Sequence, residues 1–352
     1  MTALAKWAIA LALAVSMASA PFVASRAEDA RGPVSFSGKR ISLLIGFSAI
    51  GGIGYDTYGR LLARYLGRHL PGNPIIVPEN KPGAGSMGLA NYLYNVAAKD
   101  GTEIGLVGRG VAMDPITSGK ATTAKFEATK FNWIGSMNNE VAGFFVWNTA
   151  PAQTLQQVLA GTPLTVGSTG GGGDPQIFAV TMNATLKTKL KIIPGYPGMN
   201  EILLGMEKGE LDGVLGYSWG SARVGSRTQI ENGKLKIILQ LALSRHKDLP
   251  NVPLITELVK DPQDQRLLAL ICSRQSMGRP IVAPPGLDPR LVGELRKGFG
   301  DAMHDPEFVA EAARYGMETE FVSGEDVQHL VEQIYSLPKD VMERAQQMLA
   351  FK

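Results

Sequence analysis

Between Ile41 and Leu62 the chain reads ISLLIGFSAIGGIGYDTYGRLL, and its apolar period changes in the middle. Ile41, Leu43 and Ile45 alternate as in a buried strand, whereas Tyr58, Leu61, Leu62, Tyr65 and Leu66 recur three and four apart. The pattern predicts a strand, a glycine turn over Phe47 to Tyr55, and a helix. The first turn of such a helix has N–H groups without intrahelical partners and carries partial positive charge, so it can hold an anion without lysine or arginine. Gly51, Gly52 and Gly54 let backbone approach a ligand closely. The stretch is not a nucleotide fingerprint: the third glycine of GxGxxG is missing after Gly52-Ile-Gly54, and GxxxxGK[ST] occurs nowhere.

The same logic recurs along the chain. Pro74 to Val77 reads as a strand, and Asn80-Lys-Pro-Gly-Ala-Gly-Ser-Met-Gly88 as a second glycine turn feeding a helix with Tyr92, Leu93, Val96 and Ala97 on one side. Glu103 to Gly108 is the next strand. This βαβαβ order implies a parallel sheet with right-handed crossovers, and it puts both glycine turns at the carboxyl edge. Phe131 to Ser136 and Gly143 to Asn148 are strand-like, and the polar Asn138-Asn139-Glu140 between them marks a crossing into a second unit. There Thr154 caps a helix, and Leu164 to Ala179 repeats the opening stretch: a strand, four glycines at 170–173, and a helix beginning near Pro175. Ser168, Thr169 and Gln176 add hydroxyls and an amide to the backbone donors. Further strands are expected at Lys191 to Ile193, Val214 to Tyr217 and Lys236 to Leu243. A helical tail follows from Pro289, with its last helix running from Gly324 to Ala350.

At the amino end, one lysine precedes the apolar, uncharged run Trp7 to Met17, and small residues suited to cleavage follow. This pattern is that of a secretory signal, not a membrane span; cleavage is expected after Ala27 in preference to Ala20 or Ala24, leaving about 325 residues. Without the signal's Lys6 and Arg26, charges nearly balance, so nucleic acid is excluded as the partner. The single cysteine, Cys272, allows no intramolecular disulfide and is expected to be a half-buried small hydrophobe. Export without disulfides fits a bacterial periplasm. The four histidines, His69, His246, His304 and His329, have no metal-ligand spacing, so neither metal nor cofactor is expected.

Taken in order, the glycine turn ending at Asp56, the Asn80-Lys-Pro-Gly-Ala-Gly85 segment, Asp100-Gly101, Gly167-Ser-Thr-Gly-Gly-Gly, Gly209-Glu-Leu-Asp212, Leu249-Pro-Asn-Val-Pro253 and Ile281-Val-Ala-Pro-Pro-Gly286 resemble the Bug-type solute receptors of tripartite tricarboxylate transporters. The resemblance covers nearly all of the mature chain. It implies a two-lobed α/β fold of the periplasmic-binding-protein type II class, each lobe a mainly parallel sheet flanked by helices, with a ligand cleft between lobes. The implied division is a signal over 1–27, a first lobe over 36–138, a second over 139–250, and a return to the first with C-terminal helices over 251–352. It also implies a monomeric periplasmic receptor that captures a small organic carboxylate and hands it to membrane permease subunits, with no catalysis.

In that family the carboxylate is held by backbone N–H groups, hydroxyls and water at two glycine loops. Carried onto this chain, the first loop supplies Phe47, Ser48, Gly51, Gly52, Tyr55 and Asp56, joined by Gly85 and Ser86; the second supplies Ser168, Thr169, Gly170, Gly171, Gly173 and Gln176. Neither loop contains lysine or arginine. Two departures fall in these loops. The first begins with Gly46 and is two residues longer than the family's, with Tyr55 before Asp56, and Gln176 stands where the family usually has histidine. Asp56 reads as a carboxylate stabilising the helix dipole. Tyr196, Tyr217, Ser218 and Trp219 complete the candidates, an aromatic group suited to an apolar or ring-bearing acid. Lys247, Arg274 and Arg279 are candidates by proximity to the crossings alone.

Two other functions use the same residues. Gly216-Tyr-Ser-Trp-Gly220 matches GxSxG, with His246 and His304 downstream, so a serine hydrolase would take Ser218 as nucleophile. A sensory module with the same lobes is the other; neighbouring permease genes favour transport, and a neighbouring sensor kinase favours sensing.

Overall fold

The computed structural model describes residues 34–49, 54–119, 122–169 and 173–350. The signal at 1–27 and the glycines 51, 52, 170 and 171 lie outside the described residues. Among the described residues, eleven strands form two sheets. The first sheet takes β1 (Arg40–Ile45), β2 (Ile75–Asn80), β3 (Glu103–Leu106) and β4 (Asn132–Ser136). The second takes β5 (Ala142–Trp147), β6 (Leu164–Gly167), β7 (Leu190–Ile193), β8 (Gly213–Ser218) and β9 (Leu235–Leu241). The chain then returns to the first with β10 (Pro280–Ala283) and β11 (Val322–Ser323). The strand orders are β11-β4-β10-β3-β1-β2 and β7-β6-β8-β5-β9. Strands that end in glycine turns run parallel to their neighbours: β1 with β2 and β3, β6 with β7 and β8. The strands next to the crossings pair antiparallel, so each sheet is mixed. Crossover helices enforce the parallel part; the crossing strands enter from the other sheet and carry no such constraint.

Both faces of the central strands are buried, as their near-continuous apolar runs require. On β1, Ile41, Leu43 and Ile45 pack with Tyr58, Leu61, Leu62, Leu295 and Phe299, while Leu44 faces the other way. On β5, Phe145 and Trp147 join Ile202, Met206 and Val214, and Phe144 and Val146 point to the opposite face. That opposite face belongs to a cluster shared by both sheets: Leu44, Val107 and Trp133 of the first meet Phe144, Val166 and Leu215 of the second through Phe178, Leu267 and Leu268.

The helix boundaries follow capping chemistry. Thr154 and Gln157 form a reciprocal capping box at Leu155–Leu159. Asp261-Pro262, Asp288-Pro289 and Asp305-Pro306 each set a capping carboxylate before a proline suited to the first helical position. The helix Pro262–Ser273 and strand β10 have no counterpart among the sequence expectations. The expected last helix is two helices, Gly324–Tyr335 and Lys339–Leu349, because Pro338 between them offers no N–H to a continuing ladder. Cys272 is fully buried, not half-buried. Among the described residues, no helix is long and apolar enough to cross a membrane.

Candidate functional site

The first glycine turn is braced from inside. Asn80, the last residue of β2, donates to the Phe47 carbonyl (2.8 Å) and to Asp56 (2.7 Å), while Arg60 one turn along pairs with Asp56 at 2.9 Å. Burial alone would raise the Asp56 carboxyl; Arg60 and Asn80 outweigh it and hold the group below the usual carboxylate range. Asp56 is thus a structural anion of the first helical turn. Phe47 stacks on Tyr55 with centroids 4.0 Å apart. Ser86 is fully buried against Gly46, where a side chain at 46 would collide with it, and its hydroxyl has no partner. Ala84 and Ser86 both hold left-handed backbone (φ 46° and 79°), strain that an adjoining Gly85 does not relieve. Ser48 and Gly85 are exposed.

In the second sheet, Ser168 is buried at the end of β6 and Thr169 is exposed. Gly173 precedes the helix Asp174–Thr185 without giving it a side-chain cap. Gln176 is half-buried, and its side-chain oxygen has no partner. Of the aromatic candidates, Tyr217 packs in the core beside Phe145, with its hydroxyl 3.2 Å from Ser226. Trp219 stacks over Phe145, and Tyr196 reaches Glu210 and the helix Met199–Glu207.

What joins the two sheets is a buried chain of charges. Arg109, just after β3, donates to Glu140 (2.5 Å) and to Asp174. Glu140, on the first crossing, also accepts from Arg279 (2.5 Å) and from the Ser218 hydroxyl. Asp174 further takes Arg274 (3.3 Å) and Gln275 (2.9 Å) from the return crossing. Arg279 lies between two rings, 4.5 Å from the Tyr55 centroid and 4.9 Å from that of Tyr58. The Tyr55 hydroxyl accepts the Arg109 backbone N–H (3.1 Å) and donates to the Gly278 carbonyl (3.1 Å). Both carboxyls would be raised by burial, but Arg279, Arg109 and Ser218 at Glu140, and Arg109, Arg274 and Gln275 at Asp174, hold them below the usual range. Both therefore stay charged at neutral pH. Of these residues sequence reasoning singled out Tyr55, Ser218 and, by proximity alone, Arg274 and Arg279. Arg109, Glu140 and Asp174 were missed, since Asp174-Pro175 reads in the sequence as one more helix cap.

The GxSxG segment has packing reasons for its glycines. A side chain at Gly216 (φ 78°) would strike Asp174, and one at Gly220 would strike Glu318. Ser218 accepts the Ser221 N–H (3.3 Å) as the cap of Trp219–Gly225 and donates to Glu140. Neither candidate histidine reaches it: His304 meets the Gly300 carbonyl at 2.7 Å, and His246 lies 3.2 Å from Glu318. His246, Asp248 and Glu318 form a cluster of metal-ligating types, but Arg223 bridges both carboxylates at 3.1 and 2.9 Å and supplies the cation there.

Residues 59–346 match the family described as "Tripartite tricarboxylate transporter family receptor". The "UPF0065 protein in gbd 5'region" of Cupriavidus necator is 26% identical over 316 residues, covering 88% of each chain. A TctC solute binding protein from Polaromonas superposes with a TM-score of 0.66 at 21% identity, covering 90% of this chain and 99% of its own. The R. palustris protein Rpa4515 with adipate also gives 0.66, at 17% identity over 89% of this chain and 98% of its own. The fold is that of two-lobed periplasmic solute-binding proteins, which are receptors and not enzymes.

Proposed function

Because the chain belongs to the tripartite tricarboxylate transporter family of receptors, we propose that it captures a small organic carboxylate between its two sheets and delivers it to the permease subunits of such a transporter. The observation that carries this reading is the Arg109 junction. Through its backbone N–H and its guanidinium, one residue touches Tyr55 at the start of the first glycine-turn helix and Asp174 at the start of the second. The two turns thereby face a common cationic floor, and two uncapped helix starts add their partial positive charge. Phe47, Ser48, Tyr55, Gly85 and Ser86 on one side, with Ser168, Thr169, Gly173 and Gln176 on the other, are the proposed lining. Asp56 sets the first loop's shape. The adipate carried by Rpa4515 supports a carboxylate as the ligand class. The family's periplasmic setting supports export through the amino-terminal signal.

The test is a thermal-shift screen of purified protein, unfolded and refolded to strip retained ligand, against mono-, di- and tricarboxylates, amino acids and simple esters. A ligand specific to the folded state raises the melting temperature with concentration. A rise with one acid that Ser168→Ala or Gln176→Ala abolishes is the expected result. No shift with any acid would sink the receptor reading.

A further inference from the structure

The buried network is not electrically balanced. Arg109, Arg274 and Arg279 meet two carboxylates, Glu140 and Asp174, and no side chain of the five is more than 13% exposed. Among the described residues, no third carboxylate pairs with any of the three guanidiniums; Asp56 is taken by Arg60, and Glu318 by Arg223. Tyr58, against Arg279, does not supply an anion, since burial pushes its hydroxyl far above neutrality. An unmatched charge held out of water is strongly unfavourable unless a counter-charge joins it.

Asp174 differs from three other Asp-Pro pairs of the chain in where its charge goes; Asp114-Pro115, which also lies inside its helix, turns its carboxylate to the Ser118 and Thr122 hydroxyls. At Asp261, Asp288 and Asp305 the pair places its carboxylate on the backbone N–H groups of the helix that follows. At Asp174-Pro175 the pair is shifted one residue into the helix, and the carboxylate turns to Arg109, Arg274 and Gln275 instead. Asp174 therefore already fills the place of one anion on the arginine floor. Beside the network, Tyr55 meets the Arg109 backbone and the Arg279 guanidinium and stacks on Phe47, which gives an apolar and polarisable surface there.

We infer that the ligand is a monocarboxylate with an uncharged, largely apolar remainder, its single charge matching the one guanidinium that Glu140 and Asp174 leave over. The inference rests on the carboxylate-receptor reading and narrows it. A second carboxylate on the ligand would turn the buried surplus from positive to negative.

The experiment is isothermal titration of the stripped wild-type protein with length-matched sets: hexanoate, hexanamide and adipate, then phenylacetate, phenylacetamide and terephthalate. In at least one set the monocarboxylate should bind about tenfold or more tighter than both its amide and the dicarboxylate. Asp174→Asn, which raises the surplus by one, should reverse the order so that the dicarboxylate is favoured; the wild-type comparison decides alone where that variant does not fold. A dicarboxylate that binds wild type as tightly as its monocarboxylate, or tighter, overturns the charge match and leaves the carboxylate receptor standing. An unchanged preference in folded Asp174→Asn does the same. No binding by any acid overturns both.

Discussion

Glu140 holds two guanidiniums that reach it from opposite directions, Arg109 from the end of β3 and Arg279 from the start of β10. Removing its charge strands both in a site where no side chain is more than slightly exposed. Glu140→Gln should therefore lower unfolding stability by about 3–5 kcal/mol, read from urea denaturation, because a broken buried pair leaves uncompensated charge. A loss below about 1 kcal/mol would mean that water reaches the network. At this level the sequence was half legible. Asp56, the Thr154 cap and the close-packed glycines follow from local rules that act within a few positions. Arg109, Glu140 and Asp174 lie 31 and 34 residues apart along the chain in turn, and nothing in the letters themselves says that an arginine after one strand meets an Asp-Pro at the start of a distant helix. Asp174 misleads for a definite reason: its dipeptide is the same as at three true caps, and a shift of one residue decides which way the carboxylate turns.

Strand β8 and the helix Trp219–Gly225 meet at Ser218, whose hydroxyl serves both the helix cap and Glu140. Ser218→Ala should cost about 1–2 kcal/mol in thermal or urea unfolding, as loss of a serine cap does. Upstream, Gly216 runs at φ 78° with Asp174 pressed against it, so Gly216→Ala should destabilise by about 1–3 kcal/mol and displace the Asp174 carboxylate. A fully stable Gly216→Ala would show that the helix Asp174–Thr185 can move aside. Most elements were readable because each changes hydrophobic period at a glycine or proline. Pro262–Ser273 escaped because it is packed on several sides and its apolar residues do not form one stripe: Leu267, Leu268, Leu270, Ile271 and Cys272 are all buried. The short β10 escaped because Pro280 opens it and a proline argues against a central strand, a cost met here by its place as the strand's first residue.

Taken together, the two sheets are held by a shared apolar cluster and by ion pairs that include the buried network and the Arg223–Glu318 pair. The buried carboxyls sit below their ordinary range, so their contribution to stability is complete above that range and is lost as pH falls through it toward their folded values. Stability should be flat near neutrality and fall steeply in acid, and Asp174→Asn should flatten that fall when urea midpoints are followed against pH. Glu318→Gln, which takes one of two carboxylate partners from Arg223 and leaves it Asp248, should cost about 1 kcal/mol or less. Cys272 sits at the end of the helix that delivers Arg274, fully buried, and burial pushes its thiol far above the range in which thiolate forms at neutral pH. As the chain's sole cysteine it is a built-in clock: a thiol reagent added to the native protein should modify it no faster than the arginine floor comes apart, and a bound acid should slow that modification in step with its own affinity.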